Sequence, residues 1–169
     1  MEQTFNKLLL RTAFACMTCD GDIAKEEVDL IKSLDNHCHL FGDIQINEEL
    51  EKLLGEINEQ GPRFLKNYLQ MVRESNVDET KSIILLDVAA KTIRADKIIK
   101  YSELKFFKVI KANLNIPDSL ILEKVEGIDE VWVAQDIKEY GILYESYFNN
   151  IVLPKFDLKT FIPQNEKAN

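Results

Sequence analysis

The chain has 169 residues, 46% of them hydrophobic, enough for one domain to close its own core without a disulfide or metal staple. Lys and Arg number 21 against 29 Asp and Glu, and the resulting charge of -8 argues against a duplex-coating nucleic-acid binder and disfavours anionic membrane surfaces. No apolar run approaches the ~20 residues of a membrane span, the start lacks a signal-peptide pattern, and three cysteines give no disulfide framework, so a soluble, cytoplasmic protein is expected.

Apolar residues recur at helical steps along most of the chain, so the expected class is all-α, a compact bundle of about seven helices. The first helix carries Phe5, Leu8, Leu9, Ala13 and Cys16 and ends near Cys19, where Asp20-Gly21-Asp22 breaks the pattern. Val28, Ile31, Leu34, Cys38 and Phe41 mark a second. Asn47 is the expected cap of a third, whose buried face is Leu50, Leu53, Leu54 and Ile57. Pro62 suits the first turn of a fourth, with Phe64, Leu65, Tyr68, Leu69 and Val72, and Asp78 caps a fifth that runs to about Ala95. A sixth covers about Tyr101 to Leu114, and a short seventh runs from Asp118 to Val125, before Gly127.

Residues 1–127 are thus read as the helical domain, and 128–169 as a C-terminal segment that packs on the bundle or serves as an interaction element. That segment holds 7 of the 15 aromatics. Ile137, Tyr140, Tyr144, Phe148 and Ile151 keep helical spacing, Val131-Trp132-Val133 fits a short strand equally well, and residues after about Asn165 are expected to fray.

Charge is polarised along the sequence. Asp20 to Glu59 holds 12 acids against three lysines, whereas Lys91 to Lys111 holds seven basic residues against Asp96 and Glu103. Solvated helix faces account for such runs in general, and an acidic stretch of this size also attracts a cation or a basic partner.

The most informative feature is a duplication at an offset of 76 residues. Asp20, Ile23 and Glu27 align with Asp96, Ile99 and Glu103, and Val28, Ile31, Leu34 and Cys38 align with Leu104, Phe107, Ile110 and Leu114. Each copy reads as helix, acidic turn, helix, with the Asp closing the first helix, the Ile plugging the core and the Glu in the opening turn of the second helix. A Glu there is the partner of a capping box, although Ala24 and Lys100 hold the cap positions without a hydroxyl. A helix N-terminus stabilises such anions without metal. Against that, two carboxylates about 6 Å apart cost on the order of 1–3 kcal/mol, which a hard cation with oxygen ligands would relieve. The run also fits the later half of an EF-hand loop, but Cys16 and Thr18 stand where its leading carboxylates belong.

The duplicated D-G-x-I-x-x-x-E pattern, Asp20-Gly21-Asp22-Ile23 with Glu27 and its second copy Asp96-Lys97-Ile98-Ile99 with Glu103, resembles the TerB-like family. This is the tellurite-resistance helical domain, found also on a membrane-anchored DnaJ-type chaperone. The resemblance covers about Phe5 to Val125. It implies a helical bundle without catalysis, an acidic surface that binds a divalent metal such as calcium or magnesium, and work in stress-response assemblies, some of them membrane-associated. Carried over, the metal residues are Asp20 and Glu27, joined here by Asp22, and then Asp96 and Glu103. Lys97 replaces the glycine of the second turn, and Arg94, Lys97 and Lys100 around it weigh against metal there.

Other chemistries find less support. Cys16-x-x-Cys19 with His37-Cys38-His39 suggests zinc, but Cys16 and Cys38 sit on apolar stripes and align with Thr92 and Leu114. Neither a nucleophile elbow nor a Gly-rich phosphate loop is recognisable. The expectation is therefore a non-enzymatic module that docks protein partners, inserts into no membrane and binds no nucleic acid. The alternative is a metal-free interaction scaffold using the acidic face or the aromatic segment.

Overall fold

The computed structural model describes residues 2–134 and 140–157. Every regular element among them is helical: α1 (Glu2–Thr18), α2 (Lys25–Cys38), α3 (Ile46–Gln60), α4 (Pro62–Ser75), α5 (Glu79–Arg94), α6 (Tyr101–Ala112), α7 (Asp118–Lys124), α8 (Glu130–Val133) and α9 (Tyr140–Asn150). None of these is long and apolar enough to cross a membrane. The first seven are the helices expected from periodicity, and α8 and α9 come from the C-terminal extension. Ile137, Phe161, Pro163 and the stretch after Asn165 lie outside the described residues.

Helix boundaries follow local chemistry with two corrections. Asp78 Oδ1 accepts the Lys81 amide at 2.8 Å, and Pro62 opens α4 behind Gly61 at φ +62°, as expected. The cap of α3 is Gln45 rather than Asn47, with no side-chain bond, because Ile46 is buried and its packing carries the helix start back into the core. Val131-Trp132-Val133 is a helical turn rather than a strand. The Asp129 carboxylate accepts the Val131 amide at 3.0 Å and nucleates it.

The duplication organises the packing. Equivalent helices α1 and α5 lie against each other at the centre, α2 and α6 flank them, and each flanking helix touches both central ones. Reciprocal contact of this kind is what two copies related by an approximate two-fold produce. Both central helices carry small, fully buried residues, Ala13, Ala15 and Cys16 on α1 and Ala89 and Ala90 on α5, which take little space in the core. The α3–α4 hairpin covers α1, and Phe14 meets Phe64 edge-to-face at 5.6 Å.

The extension belongs to this core. Trp132 of α8 packs edge-on against Phe107 at 5.1 Å, and Tyr147 of α9 lies 5.2 Å from Phe106. The Tyr147 hydroxyl donates to the Cys19 carbonyl at 2.6 Å, tying α9 to the end of α1. Residues 151–157 then run back to α3, where the Asn58 side chain exchanges two bonds with the Phe156 backbone at 2.9 and 2.8 Å.

Candidate functional site

The two acidic turns are built by the same bonds. In the first, Gly21 N donates to Thr18 O, Asp20 Oδ1 accepts the Asp22 amide at 3.0 Å, and Glu27 Oε1 accepts the Ala24 amide at 2.9 Å. In the second, Lys97 N donates to Arg94 O, Asp96 Oδ1 accepts the Ile98 amide at 3.0 Å, and Glu103 Oε1 accepts the Lys100 amide at 2.9 Å. Each Asp thus holds its turn and each Glu caps the following helix from inside. The backbone repeats too, with Gly21 at φ +83° and Lys97 at φ +65°. In the second copy a lysine occupies the left-handed region that glycine occupies freely in the first.

The plug residues diverge. Ile23 packs against the core, whereas Ile99 is 43% exposed, so the expected plug exists only in the first copy. Arg94 also departs from expectation. Its guanidinium reaches the Glu126 carbonyl at 3.4 Å and lies where a Cβ on Gly127 would stand.

The turns meet across the approximate two-fold. Lys100 Nζ lies 2.8 Å from Asp20 Oδ2 and 3.7 Å from Asp22 Oδ2, so the basic residue of the second copy pairs with the acids of the first. The residue aligned with Lys100 is Ala24, which has no ammonium to offer the second turn. The two capping glutamates, each 3% exposed, both lie within electrostatic reach of Asp20. Burial, offset in part by the Ala24 amide and reinforced by the negative charges of Glu103, Asp20 and Asp96, raises the Glu27 carboxyl to about 9. Burial likewise raises Glu103 to about 7, the Lys100 amide opposing it and Asp20 and Asp96 adding to it. Glu27 Oε2 is buried with no hydrogen-bond partner. The Lys100 ammonium is itself stabilised, first by its bond to Asp20 and then by the charges of Asp20, Asp22 and Glu103.

The sequence candidates are therefore brought together unequally. Asp20, Glu27, Asp96 and Glu103 interact electrostatically, and Asp22 points outward with a 78% exposed side chain. Their hard oxygen chemistry suits calcium or magnesium. Their present arrangement does not: among the described residues no three His, Cys, Asp or Glu side chains gather closely enough to hold a metal ion. The zinc spacing is dispersed in the same way. Cys16 and Cys19 are buried and their thiols are pushed well up by burial, while His37, Cys38 and His39 are exposed at the end of α2.

Two residues that contact the first turn escaped sequence reasoning. Tyr147 clamps the carbonyl next to Asp20, and it lines a cavity of about 250 Å³ with Asp20, Tyr101, Ser102, Lys105 and Ser146. Lys100 was counted with the basic surroundings of its own turn, and the signal that could have singled it out is the Ala24–Lys100 mismatch within an otherwise matched repeat.

No family model matches the chain, and neither the curated proteins nor the solved structures yield a significant match.

Proposed function

We propose that the chain acts by binding rather than catalysis, as a TerB-like stress-response module of the tellurite-resistance type that docks protein partners in the cytoplasm. One observation carries the docking reading: α2, α3 and the loop between them expose Glu26, Asp29, Asp43, Glu48, Glu51 and Glu59 to solvent. Lys25 and Lys52 are exposed on the same helices, but the acids outnumber them, and a predominantly negative surface raises the encounter rate of a positively charged partner and selects against like-charged ones. The end of α2 and the start of α3 also line a shared polar cleft of about 450 Å³ that includes Asp35, Asn47 and Glu48. A basic protein segment is the partner chemistry that fits. The aromatic extension is the weaker docking candidate, since Trp132 and Tyr147 are spent on the core.

The cation half of the reading is supported by the orphaned Glu27 Oε2 and the mutual repulsion around it. Asp20, Asp22 and Glu27 would hold calcium or magnesium only once Lys100 withdrew.

Cross-linking capture from a native lysate tests docking when wild type is compared with the Glu48→Lys/Glu51→Lys variant. The account expects captured partners to cross-link to α2 and α3, to dissociate with salt and to be lost from the variant. Equal capture by both proteins would overturn it.

A further inference from the structure

Away from the acidic turns, the first half of α1 meets the end of α4 and the start of α5 around an open groove of about 800 Å³. That volume falls within the roughly 300–1,000 Å³ of small-molecule sites. Its apolar lining comes from Phe5, Leu8, Met71 and Val77, of which Met71 is 44% exposed. Its charged lining is Lys7, Arg11 and Lys81 against a single carboxylate, Glu74, a local excess of cations in a chain that carries -8 overall. Arg11 is already paired with Glu56 at 2.9 Å, and Glu74 accepts a bond from the Gln70 side chain. Asp78, near by in sequence, spends a carboxylate oxygen on the Lys81 backbone amide. Among the described residues the exposed ammonium groups of Lys7 and Lys81 have no carboxylate partner. Lys81 Nζ instead stands 5.3 Å from the centroid of the Phe5 ring, over the apolar lining itself.

We propose that this groove binds a single-chain anionic amphiphile of the fatty-acid type, its carboxylate held by Lys7 and Lys81 and its hydrocarbon chain laid along Phe5, Leu8, Met71 and Val77. The site is separate from the acidic face of α2 and α3, so the docking reading stands or falls without it. Each half of the ligand answers one half of the lining. A hydrocarbon chain removes the exposed apolar side chains from water, which a compact anion such as phosphate would leave uncovered. A carboxylate gives the two lysines the counter-charge they lack, which a neutral chain would not. Lysine suits this arrangement, because its stem lies along apolar surface while its head stays at the rim. A cationic amphiphile of the same length meets three like charges against one acid and is disfavoured.

The test titrates the full chain, by calorimetry and by amide NMR, with decanoate and dodecanoate below their micellar concentrations and with decanol and decyltrimethylammonium as neutral and cationic counterparts. Dodecanoate should bind roughly tenfold more tightly than decanoate, the gain expected for two further buried methylenes. Decanoate should bind more tightly than decanol, and decyltrimethylammonium least of all. Amide shifts should centre on residues 4–11 and 71–81. Two variants at exposed positions leave the core untouched. Lys7→Gln/Lys81→Gln should weaken dodecanoate by at least about fivefold while leaving decanol unchanged, and Met71→Asp should weaken both. The proposal fails if no saturable binding of dodecanoate appears up to about 1 mM. Affinity indifferent to chain length, or a double lysine variant that binds dodecanoate as well as wild type, would overturn it equally. So would saturable binding of dioleoylphosphatidylglycerol vesicles, or of an acidic amphipathic peptide, in place of the monomeric carboxylate.

Discussion

Glu27 and Glu103 make the same bond to the same position of their helices, and burial gives both a preference for the protonated form. Their ordinary value is 4.5, and in the folded chain they stand at about 9 and about 7. An acid raised by folding holds its proton longer in the native state than in the unfolded one. Stability is therefore highest below the unfolded value and declines as pH rises, levelling off above about 7 for Glu103 and about 9 for Glu27. The decline is at most about 1.4 kcal/mol per pH unit for each group that retains its proton. Urea midpoints should thus fall from mildly acidic to mildly alkaline pH, and Glu27→Gln should flatten the slope. A midpoint that climbs over this interval would contradict the assignment. The identity of these carboxylates was legible in the sequence, because the repeat marks them twice. Their burial was less so, since a capping glutamate ordinarily sits at a solvated helix end and here the partner copy closes over it.

At the scale of the elements, the turns explain why one copy needs glycine and the other tolerates its loss. A Cβ on Gly21 would come within 2.6 Å of the Val152 carbonyl, because residues 151–157 cross the first turn, and its φ of +83° adds strain. Lys97 holds the same backbone region at φ +65°. Replacing Lys97 with Gly should stabilise the protein by about 1 kcal/mol, by relieving the left-handed conformation at a small entropic cost. Gly21→Ala should be destabilising and should loosen residues 151–157, which hydrogen exchange at Phe156 would register. If both substitutions proved neutral, the shared turn geometry would be wrong. Most helices were readable from apolar spacing, since α2, α3 and α4 each bury one stripe. The cap of α3 was misplaced because Ile46 gains more from the core than Asn47 gains from capping. The strand alternative at Trp132 arose because three apolar residues carry no period of their own. The Asp129 bond to the Val131 amide and the Ala134 amide bond to the Glu130 carbonyl decide for a helix.

For the molecule as a whole, the duplication sets the architecture and the charge separates the two copies. Periodicity and the 76-residue offset made the two hairpins visible. They could not show that α1 packs on α5 so as to bring the two turns face to face, because that depends on close approach of two helices far apart in sequence. It is this juxtaposition that lets the Lys100 ammonium of the second turn pair with Asp20 of the first. The most direct test is a double-mutant cycle in urea unfolding with Asp20→Asn and Lys100→Met, one residue from each copy. The account predicts a favourable coupling of about 0.5 kcal/mol, modest because Lys100 is solvent-screened, and smaller at high salt. Strictly additive effects of the two substitutions would contradict it.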